Sequence, residues 1–573
     1  MFPNILAEAF IRTGVLLDAP NRDKQSAFSR YYVAATEAFP ELINGDVFGY
    51  LDYIRHNPPR MVFKDFELDK PKSNLEAVTL RQEGNKLFAK KMYEDAMGKY
   101  NESICWALGD SEDLGIGFAN RSAVCYEIQE YEFALANIQL ARQHNYPERL
   151  MSKLVAREHN CNAKIQAREN KSSNKCPKFV MKLEANPTIP IMVKGITLGK
   201  YRGLGYGMKA EKDFKVGDVI LHERSKIVAN GPEVKFTACD HCASGNDALL
   251  IPCPHCVEVM YCTQECLQIS WKEYHRFVCG SLKILSAAPF GAHSIGLKMF
   301  FYGLTQFNDN VNEMMKYCKA NTRKEINPFD RNYIKPDPLD TFKFFHTVKV
   351  ERSSSMMNLL TQPSAAFVCG IYFEQPLIRS LFKKKKQLRF MLQSIHDYMN
   401  ASCKMIIGLW DSVPFFQLAS FFNHSCVPNT HTVFNSGEVK FIVLRPIQKN
   451  EQILISYESG IGKTDKLDRF IMTTILDFTC ACEICKPTAA PKLMKRHPQA
   501  FHKHLEVVHQ IVRDEDCTKL DKLNAAQQFI QLYGYAHPLV EVRELIILYQ
   551  NLLRMSFDDE MMDQMRNKIS VGN

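Results

Sequence analysis

The stretch that decides how this 573-residue chain is read is FFNHSCVPN, Phe421 to Asn429, where an Asn, a His and a Cys follow an aromatic pair. Three readings compete for NHSC: a nucleophile beside its base, a metal site, or a polar turn. The thiol-protease reading is weak, because a catalytic Cys and His meet through folding and are rarely neighbours in sequence. The choice depends on what accompanies the motif elsewhere in the chain.

Length alone argues for about three or four domains. A hydrophobic content of 46% with 24% charged residues is that of an ordinary soluble protein. No apolar run approaches the ~20 residues that cross a bilayer, so no membrane span is expected. The opening MFPNILAEAF has no basic n-region and does not read as a signal peptide. Nineteen cysteines without a secretory signal suggest reduced thiols, and hence metal clusters rather than disulfides. The net charge of +9 is too mild to argue for nucleic acid. The Lys383–Lys386 run reads as a solvated helix face.

From Val78 the pattern becomes regular. EGNKLFAKKMYEDAMGKYNESI (Glu83 to Ile104) and RSAVCYEIQEYEFALANIQLAR (Arg121 to Arg142) superpose at an offset of 38, matching Phe88 with Tyr126, Tyr93 with Tyr131 and Ala96 with Ala134. This is a helical-hairpin repeat whose period resembles the tetratricopeptide (TPR) unit of ~34 residues with an insertion. A helix from Pro147 to about Lys164 is expected to begin a third unit. Polar residues 168–178 read as a linker, 190–230 as strands, and 283–405 as mainly helical. A hairpin is expected over His431–Leu444 with Asn435, Ser436 and Gly437 at its turn. The chain after Lys486 reads as helical.

Cys239, Cys242, Cys253, Cys256, Cys262, Cys266, His275 and Cys279 form pairs spaced CxxC, CxxC, CxxxC and HxxxC. Eight ligands make two tetrahedral zinc sites. The i, i+4 spacing of the last two pairs predicts that each pair shares one face of a short helix. So short a segment lacks the apolar material for a core, and metal would supply the missing folding energy, about 10 to 16 kcal/mol per site in peptides. Cys480, Cys482 and Cys485 (CACEIC) supply three thiols of a third site, for which Cys426 is the natural fourth ligand. The first cluster resembles the MYND zinc finger. In that family the first and third pairs share one zinc and the second and fourth the other, forming closed sites used as scaffold or peptide-binding surface.

Arg202–Ile220 (RGLGYGMKAEKDFKVGDVI), NHSCVPN and Glu451–Tyr457 (EQILISY) resemble the three signatures of a SET domain, split by the MYND insertion and closed by a CxCxxC post-SET segment. This order is that of the SET and MYND (SMYD) family of lysine methyltransferases, and the repeats are similar to its TPR-bearing, fourth-member branch. The glycines do not make a dinucleotide fingerprint, since Met208 stands where GxGxxG requires glycine. The resemblance implies S-adenosylmethionine bound by Gly205, Tyr206, Gly207, Asn400, Asn423, His424, Tyr457 and Phe478. Tyr457 would orient the amine and methyl, and Phe478 would line the lysine channel as its other catalytic-site residue. It also implies three zinc ions. Leu476 stands where the family commonly has a second aromatic, which supports a rival reading as a catalytically weak or inactive adaptor in chromatin or chaperone complexes.

The fold expected is α+β and multidomain. It comprises an N-terminal helical region (1–73), TPR repeats (74–166), a linker (167–189), the SET N-terminal part (190–235) and the MYND finger (236–282). A helical SET insert (283–400), the SET core (401–460), post-SET (461–487) and a C-terminal helical domain (488–573) follow. Arg81, Asn85, Asn120, Lys153 and Arg157 resemble the two-carboxylate clamp of repeats that hold heat-shock chaperone tails, although by spacing alone they are solvated helix residues. Proline-rich peptides on the MYND finger, a lysine-bearing protein substrate, and residence in cytoplasm and nucleus complete what the resemblance implies.

Overall fold

A computed structural model describes residues 71–167, 179–282, 292–321, 327–347, 375–405, 412–457 and 499–571 apart from scattered positions within those spans. It also describes residues 169, 365, 368, 369 and 372 and the thiols Cys480, Cys482 and Cys485. Residues 1–70, the linker positions 171–178, and Arg202, Gly203, Ser436, Leu476 and Phe478 lie outside the described residues.

The repeat legible in the sequence recurs in the first described helices, α1 (Asn74–Ala89), α2 (Tyr93–Trp106), α3 (Glu112–Glu127), α4 (Tyr131–Gln143) and α5 (Met151–Gln166). Phe88 meets Tyr93 and Tyr126 meets Tyr131 at the same centroid separation, 5.5 Å. The tight turns between the paired helices use left-handed residues at equivalent positions, Lys91 (φ 61°) and Gln129 (φ 65°). Each is closed by the same backbone bond, Met92 N–H to Leu87 C=O at 3.0 Å and Glu130 N–H to Cys125 C=O at 2.8 Å, as helix C-termini require to satisfy their last carbonyls. The third unit starts later than its sequence suggests: a 3₁₀ turn over Glu148–Leu150 precedes α5.

After β1 (Ile196–Tyr201), β2 (Gly205–Ala210), β3 (Val219–Arg224) and β4 (Ile227–Asn230), the chain enters the cysteine-rich segment, which holds β5 (Ile251–Pro252), β6 (Met260–Tyr261) and α6 (Gln264–Ser270). A helical layer follows: α7 (Ala292–Thr305), α8 (Val311–Asn321), α9 (Pro338–Thr347), α10 (Pro376–Leu381) and α11 (Lys385–Met405). The chain then returns to the strands with β7 (Ser412–Phe415), β8 (Asn423–His424), β9 (Thr430–Asn435), β10 (Glu438–Val443) and β11 (Leu454–Ile455). It closes with α12 (Gln499–Arg513), α13 (Lys519–Tyr533) and α14 (Val540–Val571).

Strands from the two halves pair across the insertion, β3 with β10 and β4 with β7, while within the second half β9 pairs with β10 and β11 runs parallel to β8. The β9–β10 hairpin pairs Asn435 with Glu438, with Gly437 at φ +71° in its turn. Among the described residues no helix is long and apolar enough to cross a membrane.

Buried polar groups join these layers. Lys298 on α7 donates to Val228 O (2.8 Å), Asp240 O (3.0 Å) and Asp240 Oδ1 (3.1 Å), tying the helical layer to the cysteine-rich segment. Lys440 on β10 pairs with Glu560 on α14 at 3.2 Å, both side chains only 3% exposed, which docks the C-terminal helix on the sheet. Fully buried Arg121 on α3 donates to Asn137 Oδ1 (2.6 Å), Asn101 Oδ1 (2.8 Å) and the Leu250 carbonyl (2.6 Å). Asn101 in turn donates to Phe236 O and Asp247 O, and Asn137 to Ala248 O. Burial lowers the Arg121 guanidinium to about 10, a cost these acceptors offset.

The repeats and the cysteine-rich segment therefore share one core, in which Ile104, Phe118 and Ile138 pack with Leu250, Met260 and Tyr261. Arg121→Met strands three buried acceptors and is expected to cost on the order of 3 kcal/mol. Thermal melting should show the loss, with faster proteolysis of both the repeats and the cysteine-rich segment. Release of the repeats alone would show that the two fold separately.

Candidate functional site

NHSC forms the seam at which the two ends of the strand region meet. β8 and β11 pair Asn423 with Leu454 and His424 with Ile455, and Ser425 N–H continues the ladder to Ile455 C=O at 2.9 Å. Asn429, fully buried, locks this register. Its Oδ1 accepts from Leu454 N–H (2.8 Å), and its Nδ2 donates to Gln452 O (2.8 Å) and Glu451 Oε1 (3.2 Å). Tyr457 leaves the end of this seam. Its hydroxyl donates to the Phe422 carbonyl at 3.0 Å, and its N–H donates to His424 Nδ1 at 3.0 Å.

These contacts define protonation. Burial pushes the Tyr457 phenol well above its ordinary value, so it stays neutral. Desolvation pushes His424 down to about 4, so its ring is neutral as well. Because Nδ1 accepts from the Tyr457 amide, the ring proton belongs on Nε2, which lies 3.4 Å from Cys426 Sγ. His424 thus positions rather than titrates. It links the thiol of NHSC to the backbone that carries Tyr457.

The approach to NHSC is held by Glu223, which the sequence reading missed. Its Oε1 accepts from Gln417 N–H (2.6 Å) and Leu418 N–H (3.1 Å), and its Oε2 from Leu418 N–H (3.1 Å) and Ala419 N–H (2.8 Å). Burial raises this carboxyl, while the three amides and Arg331 pull it back down. The signal was present in VILHER: Glu223 falls in the inward, period-2 register of Val219 and Leu221.

Gly205–Gly207, expected as a turn, are the paired start of β2, and Gly207 lies against the same seam. Gly205 has φ +73°, where a side chain is strained, and Tyr206 is 45% exposed. A Cβ on Gly207 would lie 2.3 Å from Asn423 Nδ2 and 2.6 Å from Gln452 Nε2. Both of those nitrogens are buried and have no partner among the described residues. A ligand with acceptor atoms fits such a cradle of missing Cβ and orphaned amides. Asn400 is buried on α11 with its amide nitrogen 3.1 Å from His396 Nε2.

Three tetrads of ligand atoms each lie within 4.8 Å: Cys239, Cys242, Cys262, Cys266; Cys253, Cys256, His275, Cys279; and Cys426, Cys480, Cys482, Cys485. Separations such as 3.5 Å for Cys242–Cys262, 3.3 Å for Cys253–His275 and 3.6 Å for Cys426–Cys485 are the edges of a tetrahedron with ~2.3 Å metal–sulfur bonds. They are far too long for the ~2.05 Å bond of a disulfide. All-thiolate and thiolate–imidazole sets of this shape fit zinc, with no ligand position left open.

One expectation is corrected. The i, i+4 pairs do not share a helix face, because Thr263 caps α6 by accepting from Cys266 N–H at 3.1 Å and leaves Cys262 outside the helix. Likewise His275 ends a π turn, Trp271–His275, and Cys279 follows the short helix Arg276–Val278.

The five repeat residues gather around α3 but do not form an open array. Arg81 is paired with Asp113 at 3.0 Å, Asn120 Nδ2 donates to Asn85 Oδ1 at 2.9 Å, and Arg157 donates to Ala119 O and Ser122 Oγ, both at 2.8 Å. Lys153 is exposed. The reason is local: α3 carries Asp113 in its first turn, within reach of Arg81.

With this geometry established, known proteins can be compared. The SET domain family profile matches residues 205–458. The chain is similar to protein-lysine N-methyltransferase SMYD4 of Mus musculus, 22% identical over 551 residues that cover 74% of this chain and 69% of the mouse protein. SMYD4 of Pongo abelii is 24% identical over 555 residues, covering 74% and 68%. Histone-lysine N-methyltransferase ASHR1 of Arabidopsis thaliana is 26% identical over 294 residues, covering 50% and 54%.

Metal analysis of the purified chain should return three zinc ions. Cys426→Ser should lose one of them and weaken ligand binding at the Gly207 cradle, whereas Cys253→Ser should lose one with the cradle intact. Equal effects of the two substitutions on the cradle would show that the Cys426 tetrad does not support it.

Proposed function

This chain is a SET-domain protein of the SMYD family, and from that premise we propose that it transfers a methyl group from S-adenosylmethionine to the side-chain amine of a lysine in a histone or non-histone protein. The observation that carries the reading is the convergence of Gly207, the orphaned Asn423 amide and neutral Tyr457 on one seam. Gly205, Tyr206, Gly207, Asn423 and His424 would hold the cofactor. When bound, it supplies a methyl group already activated by its attachment to a sulfonium.

The chain's own task is then alignment and desolvation. Only about one lysine in a thousand is neutral at pH 7.4, a cost of about 4 kcal/mol. A dry, aromatic setting lowers the amine's pKa, and Phe421, Phe422 and Tyr457 pack with the strand core here. The Tyr457 hydroxyl, fixed by Phe422 O, presents its oxygen lone pairs as an acceptor for the incoming amine. Asn400 and Phe478 complete the proposed cofactor and channel set.

The helical hairpins read as TPR units and residues 236–282 as a MYND finger, supported by the recurring turn geometry and the interleaved ligand pairs. Both would serve partners, proline-rich peptides on the finger and acidic chaperone tails on the repeats, in cytoplasm and nucleus. For such a tail, Asp113 is an internal competitor for Arg81. Asp113→Asn should therefore strengthen binding of a free-carboxylate acidic peptide and Lys153→Ala should weaken it, as read by fluorescence anisotropy. Equal binding of the amidated peptide would sink the clamp.

Methyl transfer is tested by calorimetry with S-adenosylhomocysteine and by mass spectrometry of cellular lysines. Tyr457→Phe should cut transfer about a hundredfold or more while leaving cofactor affinity within a few-fold. No binding by the wild type at high micromolar concentration would leave an adaptor in place of an enzyme.

A further inference from the structure

Gln452 belongs to no site assigned above, yet its side chain is the second of the two orphaned amides in the cradle. Its backbone is rigidly placed. The carbonyl accepts from Asn429 Nδ2 at 2.8 Å, and the flanking residues are bonded to β2 through Ala210 N–H to Glu451 O (3.0 Å) and Ile453 N–H to Met208 O (2.9 Å). An isolated bridge pairs Gln452 with Lys209. This frame brings Gln452 Nε2 beside Gly207, close against the point that a Cβ there would occupy, and Asn423 Nδ2 lies against the same point. At 2.6 and 2.3 Å from one point, the two nitrogens are less than about 5 Å apart. Neither has an acceptor among the described residues.

Leaving two buried donors unpaired side by side is unfavourable unless a ligand supplies the acceptors. We propose that Gln452 binds the methyl donor together with Asn423, and that the amide pair recognises the donor's α-carboxylate. The proposal rests on the methyltransferase reading. The choice among the donor's groups follows from hydrogen-bond chemistry. A carboxylate only accepts, and it offers two oxygens to two N–H groups in charge-assisted bonds. Ribose hydroxyls also donate, and the adenine edge combines a donor with its acceptors, so each would call for an acceptor among the protein groups. Gly207, without a side chain, lets the two amide nitrogens come this close to each other, so that one carboxylate can engage both.

The test is calorimetric titration of the full, zinc-loaded chain with S-adenosylhomocysteine and with 5′-methylthioadenosine, which lacks the amino-acid portion. Gln452→Met removes the donor at similar volume. Gln452→Glu replaces it with an acceptor of nearly the same shape that repels a carboxylate. Both should weaken S-adenosylhomocysteine at least tenfold, Glu more than Met, while methylthioadenosine affinity stays within twofold and the ligand-free melting temperature is unchanged. Unchanged homocysteine-adduct affinity in Gln452→Glu overturns the proposal. Equal losses for both ligands overturn the carboxylate assignment. If the wild type binds neither ligand, the methyltransferase reading itself falls, and the proposal with it.

Discussion

The buried amide of Asn429 is the constraint on which the rest of the site depends. One side chain accepts from Leu454 N–H and donates to the Gln452 carbonyl, and so fixes how the NHSC segment lies against the segment that ends in Tyr457. A one-residue slip would turn every side chain of a strand to its other face. Here it would take Asn423 away from Gly207, His424 away from the Tyr457 amide and the Gln452 amide out of the cradle. The parallel β8–β11 pair spans only two residues on each strand, too few ladder bonds to hold register unaided. The side-chain amide supplies the missing backbone partners, and the Cys426 tetrad lies directly beyond them.

Around this seam the molecule uses buried polar groups as docking pins. Glu223 holds the turn before NHSC, Lys298 joins the helical layer to Asp240, Lys440 meets Glu560 beneath α14, and Arg121 joins the repeats to the cysteine-rich segment. Such groups add little net stability compared with apolar packing, because desolvation consumes much of their attraction. They do make misdocked arrangements expensive, since any shift leaves a charge or carbonyl buried without a partner. That property suits a chain whose paired strands are separated by a long insertion and must find one another with few contiguous contacts.

The metal tetrads serve the same purpose where apolar material is thin. Residues of the cysteine-rich segment share a core with the first helices, so closing its two tetrads also shapes the surface on which Asn101, Arg121 and Asn137 dock. The third tetrad connects Cys480, Cys482 and Cys485 to NHSC itself. Its Cys426 lies beside His424, whose neutral ring holds the backbone of Tyr457. The Cys426 tetrad and Tyr457 are therefore one hydrogen bond and one ring apart.

Motifs with a fixed chemical spacing were legible in the sequence alone. The twelve cysteine and histidine residues of the three tetrads declare themselves because tetrahedral metal sites draw on closely spaced groups, and the 38-residue offset declares the hairpins because paired helices need small and aromatic residues at recurring positions. NHSC, GYG and EQILISY carried the SET reading for the same reason. What only the tertiary structure decided were contacts between residues far apart in the chain. Glu223 meets Gln417, Arg121 meets Leu250, and Asp113 holds an arginine that spacing alone left open to a ligand. Periodicity reports which face of an element a residue occupies, but not which partner waits there. The orphaned amide of Gln452 is the clearest case. In sequence it is one polar residue in a strand, and it becomes a donor without an acceptor only when folding brings Gly207 and Asn423 to the same point.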